Sequence, residues 1–398
     1  ESPDAMDPIS ALREQRQAAQ RAHALGRQSR RDSQDKKEKV LTEVNYDVFK
    51  ERFWPKICQK VPSGCDASLV WREIQTFIKG SYKVLDGDKG FLEIADYSEV
   101  AKKCSPGFQE YRKQIYEAFE VYERLRKDWN CFDRMDACFH VIKQLRQEPY
   151  TGPPVHSVAV DEVQDLGQLE LAVFFLVMRR PYEELFITGD TSQTVSRAVD
   201  FRFCDLRSLF HHFGVPPPEL DQLVINYRSH QKILALTHLG VVRPLEIAFP
   251  HAIDPLKPDF GHRDGPKPIV VTDVKLEDLA QHLFNLDGTS TGIAFGASQS
   301  ILVRSDDSKQ CLPTELSKAL VLTVEQSKGL EFDDCIMVNF FKDSTYKDWQ
   351  VMLNFQEELL GFEQESQSPK KRPNFERYRH TLLCSELKHL YTAMTRTK

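Results

Sequence analysis

Asp161 and Glu162 stand side by side where the short β-branched run Val155–Val160 ends, in the string Val158-Ala-Val-Asp-Glu-Val-Gln-Asp165. Two adjacent carboxylates repel each other, and the carboxyl end of a hydrophobic strand is where the ligand crevice of a parallel sheet opens. Nucleotide hydrolysis uses such a pair: one carboxylate holds Mg²⁺, usually through water, and the next activates or orients the attacking water. A strand followed by Asp-Glu also arises by chance, so the pair alone leaves both readings open. A second string, Phe186-Ile-Thr-Gly-Asp-Thr-Ser-Gln193, repeats the layout. Its Gln193 amide could sense a terminal phosphate, and the plain alternative is a Gly-Asp turn.

Three further strings carry cations and turns. Ile225-Asn-Tyr-Arg-Ser-His230 puts Arg228 at the start of a helical pattern (Ile233, Leu234, Leu236). A cation there does not complement the helix dipole and can serve an anion elsewhere. Leu322-Thr-Val-Glu-Gln-Ser-Lys-Gly-Leu-Glu-Phe-Asp333 links two strand-like runs through a Lys-Gly turn, and Tyr391-Thr-Ala-Met-Thr-Arg396 places an arginine near the chain end. Taken singly, each is compatible with an ordinary surface Arg or Glu.

The elements that must position these residues follow from periodicity. Leu169–Met178 reads as a buried helix and Leu185–Thr188 as a strand. Strand, helix, strand with polar residues at the strands' carboxyl ends predicts a parallel α/β sheet. The pattern resumes after Pro216-Pro-Pro218, with candidate strands Ile269–Thr272, Ile301–Arg304, Ala319–Val324 and Cys335–Phe340. Residues 44–147 read as helical: Ile115, Phe119, Tyr122 and Leu125 recur at three- and four-residue spacing. Residues 1–43 are polar and predict a solvated helix or disorder. The charged connection from Lys342 to Arg379 predicts a helix and a loop around Ser366–Pro373. No internal repeat with a period of about 20–50 residues is found.

Composition bounds the classes. A chain of 398 residues with 41% hydrophobic and 28% charged residues can bury two or three ordinary cores. The formal net charge of −6 confines any nucleic-acid site to a local groove. Nine cysteines without a Cys-x-x-Cys pair predict reduced intracellular thiols rather than a disulfide framework or a zinc site. His211-His212 lacks metal-ligand spacing, and Trp71 with Ile74 and Ile78 follows a packing face. Lys370-Lys-Arg372, between prolines, reads as a solvated loop. The longest apolar stretch, Leu169–Met178, is too short to span a bilayer. No signal peptide opens the chain, and its start at Glu1 leads us to expect a piece of a longer polypeptide.

Taken together and in order, Asp-Glu-x-Gln-Asp, Gly-Asp-x-x-Gln, Asn-Tyr-Arg-Ser, Ser-Lys-Gly-Leu-Glu-Phe-Asp and Tyr-x-Ala-x-Thr-Arg resemble motifs II to VI of superfamily 1 helicases of the UvrD type, over about residues 45–398. Finer matches look like the large TPR and ankyrin repeat-containing helicase-like proteins. These are Leu69-Val-Trp-Arg-Glu-Ile-Gln-Thr-Phe-Ile-Lys-Gly80, Gly189-Asp-Thr-Ser-Gln-Thr194 with Phe201-Arg-Phe203, and Leu330-Glu-Phe-Asp-Asp334 with Asn339-Phe-Phe-Lys-Asp-Ser344. The resemblance implies an α/β chain of two RecA-like parallel-sheet lobes of the P-loop NTPase type, the first incomplete, with a helical insertion subdomain. Residues 44–147 would form that subdomain, 148–215 the first lobe and 216–398 the second.

It also implies roles. Asp161 would position Mg²⁺, Glu162 would act on the hydrolytic water, and Gln193 would contact the γ-phosphate of ATP. Tyr227 would pack on the adenine, and Arg228 and Arg396 would reach the phosphates from the second lobe. Glu331 would bind the ribose, with Gly329 allowing close backbone approach. The implied function is an ATP-dependent helicase or translocase core moving on single-stranded DNA or RNA held in the cleft across the lobes. It would be intracellular, nuclear or cytoplasmic, away from membranes, and a monomeric core within a larger polypeptide.

Two departures qualify the resemblance. Such enzymes begin with a phosphate-binding loop ending in Gly-Lys-Thr/Ser, and none of the 18 glycines here is followed by lysine. We expect that loop upstream of Glu1 and little ATPase activity from residues 1–398 alone; a helicase-like scaffold that binds RNA, DNA or protein without turnover is the alternative. In addition, Thr194–Asp200 lacks the base-stacking aromatics usual after Gly-Asp-x-x-Gln, and Glu325 stands where many relatives carry histidine. Phe201 and Phe203 are expected in the core.

Overall fold

The computed structural model describes residues 41–62, 65–104, 111–195, 201–255, 257–278, 298–316, 319–355, 374–376 and 380–398. Residues 1–40 and Lys370-Lys-Arg372 therefore lie outside the described residues.

The chain opens with a strand, β1 (Thr42–Val44), rather than continuing the polar segment to residue 43. Its last residue, Val44, is 1% exposed, and one buried apolar side chain in a paired strand outweighs polar flanking composition. The helices α1 (Ala67–Arg72), α2 (Ile94–Cys104) and α3 (Arg112–Asp128) follow. Next, β2 (Cys131–Asp133) pairs in parallel with β1, Thr42 opposite Cys131, and feeds directly into α4 (Arg134–Gln147). On α3, Ile115, Phe119 and Tyr122 are buried as their spacing predicts. Tyr122 meets an aromatic cluster, with ring centroids 5.1 Å from Phe53, 5.7 Å from Phe49 and 6.0 Å from Trp71.

A lysine holds this helical region together. Lys79 is fully buried, and its Nζ donates to Asp133 Oδ2 at 2.5 Å and Asp136 Oδ1 at 2.7 Å. Asp133 also caps α4, accepting from the Asp136 amide at 3.0 Å, while Asp136 accepts from the Asp133 amide at 2.9 Å. The Tyr122 hydroxyl donates to Asp133 at 2.9 Å, and Arg126 braces Asp136 at 3.0 Å. Burial alone would raise the Asp133 carboxyl, but the Lys79 charge and hydrogen bond outweigh it and hold it below the ordinary range. Burial and the charge of Asp133 instead push Asp136 up.

Downstream, β3 (Val158–Val160), α5 (Gln168–Val177), β4 (Leu185–Ile187) and α6 (Phe203–His212) form the next layer. The strands pair in parallel, Val158 opposite Leu185. The core beneath them joins Val160, Leu169, Phe175 and Phe210 to Met135 and Ile142 of α4, tying the helical region to the sheet. Phe201 is buried there, with Phe203 packed edge-on at 5.3 Å.

The C-terminal part contains β5 (Ile225–Asn226), α7 (Gln231–Thr237), α8 (Arg243–Ala248), β6 (Phe260–Gly261), β7 (Gln299–Val303), β8 (Val321–Thr323), β9 (Asp334–Met337) and α9 (Thr381–Met394). Strand β5 pairs with β6, and a three-stranded parallel sheet runs in the order β8-β7-β9. Leu383, Leu387 and Leu390 seat α9 in a core with Val241, Leu245 and Leu302. The architecture is thus mixed helix and small parallel sheets. Asp254, beyond α8, caps α6: its carboxylate accepts from the amides of Phe203 at 2.8 Å and Cys204 at 3.4 Å, and its own amide donates to Thr191 Oγ1 at 3.2 Å.

Ile269–Thr272 is not a strand. Ile269 and Val270 are 88% and 82% exposed, so their β-branched composition finds neither a partner edge nor a covered face, which is what makes it count toward a strand. A short helix, Phe340–Asp343, closes as the connection begins, and the described part of the connection holds the 3₁₀ turn Trp349–Phe355; the loop expected around Ser366–Pro373 lies outside the described residues. Among the described residues no helix is long and apolar enough to cross a membrane.

Replacing Lys79 by Met leaves the fully buried Asp133 carboxylate without its cation, and breaking a buried pair from one side costs about 3–5 kcal/mol. We expect urea unfolding at neutral pH to register a loss of that order, and Asp133→Asn in the Lys79→Met background to recover part of it. A loss well under 1 kcal/mol, the range of an exposed pair, would show that the cluster is solvated.

Candidate functional site

The DEVQD string turns sharply after β3. Asp161 Oδ1 accepts from the Glu162 amide at 2.9 Å and from the Thr188 hydroxyl, at the end of β4, at 2.7 Å. Glu162 has φ = 53°, a left-handed conformation for a residue with a Cβ. Such a residue costs of order 1 kcal/mol or more and persists where its surroundings over-determine it. Here the Gln164 amide donates to the Glu162 carboxylate, while Gln164 Oε1 accepts from the Asp190 amide at 3.0 Å. Gln164 is fully buried and so joins the two strings at their roots. Gly189 permits this: a Cβ there would lie 2.4 Å from Gln164 Oε1.

Gln193 is held at both ends of its amide. Its Nε2 donates to Asp190 Oδ2 at 3.0 Å and its Oε1 accepts from Arg396 at 2.8 Å. Asp190 also takes the Ser192 amide at 2.8 Å, and burial and then the charge of Asp190 drive the Tyr391 pKa upward. Arg396 follows α9 and is 1% exposed. It donates through Nε to the Thr392 carbonyl at 2.9 Å and through Nη1 to that of Leu330 at 3.4 Å. Burial and then the neighbouring charge of Arg228 lower its pKa, against Glu162, which supports it. Arg228 and Arg396 are thus close enough to feel each other, an arrangement that favours an anion between or beside them.

Arg228 is placed by Asn226, whose Oδ1 accepts from the Arg228 amide at 3.0 Å and the Ser229 amide at 2.9 Å. Its guanidinium donates to Glu331 Oε2 at 3.0 Å. Tyr227 is 73% exposed, its ring 5.5 Å from that of His262, so it offers an open aromatic face. Gly329 has φ = 78° in the turn between β8 and β9, a backbone state natural to glycine. Lys328, next to it, extends to Asp165 Oδ2 at 2.6 Å, the Gln193 carbonyl at 3.2 Å and Glu162 at 3.4 Å.

The eight residues singled out from the sequence divide into connected groups. Asp161 and Glu162 adjoin in one turn, Gln193 meets Arg396, Arg228 meets Glu331, and Gly329 lies in the turn that carries Glu331. Tyr227 stands beside this set and has no side-chain bond to it. Lys328, Gln164, Asp165, Asp190 and Tyr391 carried no assigned role. They lie inside or beside the same strings, but Lys328 and Asp165 are 163 residues apart, and no spacing rule pairs them.

The β8–β9 turn has its own anchor. Glu325 Oε1 accepts from Arg304 at 3.0 Å and from His389 Nε2 at 3.1 Å, and Arg304 forks onto Glu386 at 2.8 and 2.5 Å. Glu325, found where a histidine is usual in the resembling enzymes, therefore packs the turn against α9. Burial pushes the Glu325 carboxyl up, but the His389 bond and charge and Arg304 outweigh it, leaving a pKa of about 2. This depressed value means its contribution is complete above the unfolded value near about 4.3 and is lost as the pH falls toward 2. We expect Glu325→Gln to flatten the acid limb of the stability curve between about pH 4.5 and 2; an unchanged acid limb would remove Glu325 from this role.

Asp161 fits a Mg²⁺ site of the kind that keeps several waters and draws further ligands from substrate phosphates. Both of its hydrogen bonds described above fall on one oxygen, and the residue is exposed. Among the described residues no group of three His, Cys, Asp or Glu side chains could hold a metal by itself, so a dedicated all-protein cage is not what these residues offer.

No protein-family model matches the chain. Its sequence is 37% identical over 378 residues, 89% of its length, to the human (Homo sapiens) TPR and ankyrin repeat-containing protein 1, and it spans 13% of that relative's length. This chain is thus similar to one stretch of a much larger repeat-containing protein.

Proposed function

We propose that the chain is an ATP-dependent helicase or translocase core, two RecA-like α/β lobes working on single-stranded DNA or RNA in the cleft between them. The observation that carries this reading is the meeting of Arg396 with Gln193 at 2.8 Å across 203 residues of sequence, with Arg228 near enough to depress the Arg396 pKa. Phosphoryl transfer is catalysed mainly by positioned positive charge, and charge supplied across a cleft makes turnover depend on how the halves sit. Mg²⁺ on Asp161 would neutralise charge on the phosphate oxygens.

The chain's own residues then divide the work. Glu162, held by Gln164, orients and accepts a proton from the attacking water. Gln193 reads the terminal phosphate, its amide fixed by Asp190 so that its carbonyl oxygen faces Arg396. Arg228 and Arg396 stabilise negative charge as the terminal phosphoryl group loosens. Glu331 takes the ribose hydroxyls, which releases Arg228 from its present partner, and Tyr227 offers its open ring to the base. Movement along a strand follows from the coupling of these contacts to the separation of the halves.

A second reading, a helicase-like scaffold that binds nucleic acid or protein without turnover, is favoured by one observation: no Gly-Lys-Thr/Ser occurs among the 18 glycines. The two readings separate in the full-length protein. Glu162→Gln is expected to lower strand-stimulated ATP hydrolysis by about 10²–10⁴-fold while fluorescent ATP analogues still bind. Nucleotide binding without turnover in the wild type would establish the scaffold. Absence of nucleotide binding, in a protein whose circular dichroism reports a folded state, would sink both the motor and its assigned site.

A further inference from the structure

The turn from Val324 to Asp333 touches three parts of the molecule. Glu325 binds it to Arg304 and His389, and Glu331 faces Arg228. Between them Lys328 leaves its own half of the chain. Its Nζ lies 2.6 Å from Asp165 Oδ2, 3.2 Å from the Gln193 carbonyl and 3.4 Å from Glu162 Oε2, with the lysine side chain only 12% exposed. All three acceptors belong to the two strings that end β3 and β4. An ammonium so far out of water needs acceptors on every side, and here one half supplies the cation while the other supplies the acceptors.

Asp165 makes the dependence sharper. Its Oδ1 is buried without a hydrogen-bond partner, so the carboxylate relies on Lys328 at Oδ2 for charge compensation. Asp165 also closes the turn that carries Glu162, its amide donating to the Glu162 carbonyl at 3.0 Å. Glu162 meanwhile sits in a left-handed conformation that must be held. Gln164 holds it from within the same turn and is indifferent to the position of the other half. Lys328 is not.

We propose that Lys328 is a positioning residue for Glu162: a cation clamp from the β8–β9 turn that fixes the Glu162–Asp165 turn only while the two halves are engaged. This rests on the nucleotide reading for its catalytic consequence, but the clamp itself is a statement about geometry. When the halves separate, the ammonium withdraws from Asp165, Glu162 and the Gln193 carbonyl together, and the water-orienting carboxylate loses its fixed place. The clamp therefore ties hydrolysis to closure through the base as well as through the arginines.

Two measurements on the full-length protein test this. In ATP hydrolysis, Lys328→Ala is expected to lower kcat by about a hundredfold, the scale of a small displacement of a catalytic group, with KM for ATP nearly unchanged. Lys328→Arg should recover part of that loss, and Asp165→Asn should reproduce it without adding to it in the double variant. A rise in KM with kcat preserved would mean that Lys328 binds substrate instead, and would overturn the proposal. Independently of turnover, hydrogen exchange at the amides of Val163, Asp165 and Leu166 should accelerate in Lys328→Ala while β1–β2 stays protected. Unchanged exchange there would overturn the clamp whether or not the protein hydrolyses ATP. A wild type without ATPase activity, but with accelerated exchange in the variant, would keep the clamp and remove its catalytic consequence.

Discussion

A guanidinium cannot shed its charge, so a buried arginine obliges the fold to bring acceptors to it. Arg396, 1% exposed, imposes that condition on this molecule. Its acceptors come from α9, from the β8–β9 turn and from Gln193 beyond β4. Satisfying it requires α9 to end against the Gly189–Gln193 loop, which in turn brings Tyr391 within reach of the Asp190 charge and the last residues of the chain beside Phe332, whose amide donates to the Arg396 carbonyl at 2.8 Å.

The same logic recurs at Lys79 and Arg304, each a cation almost out of water with carboxylates at hydrogen-bonding distance. Such clusters add less net stability than their short distances suggest, since desolvation opposes the Coulombic gain. They do fix which surfaces meet. Lys79 selects the junction of β2 and α4, and Arg304 selects the face of α9 that the turn after β8 leans on.

How much of this was legible beforehand depended on range. The strand ending at Val160, the helix Gln168–Val177 and the strand Leu185–Ile187 are local patterns, and their periods read correctly to within a few residues. So did the face of α3 that carries Phe119 and Tyr122. Ile269–Thr272 looked identical to them in composition and is not a strand, because pairing is decided by what lies alongside and not by the segment itself. The paired carboxylates and the arginines were visible as residue types. Their mutual contacts were not, since Gln193 with Arg396 and Asp165 with Lys328 join positions 203 and 163 residues apart. Glu162's left-handed backbone was equally hidden, for nothing in the letters distinguishes a strained glutamate from a relaxed one.

The Asp254 cap on α6 bears on how the chain can be divided. Pro216-Pro-Pro218 looks like a seam, and a cut there would part the motifs into two tidy pieces. Yet the first amides of α6, at Phe203 and Cys204, find their acceptor beyond that seam, and Thr191, two residues before Gln193, receives a bond from the same residue. A fragment stopping at the prolines would carry a helix with its leading amides uncapped, pressed on a loop that has lost its far wall. The unit that keeps its shape is therefore larger than the unit the motifs outline, and a separately expressed first half would be a different object from the same residues in the intact chain.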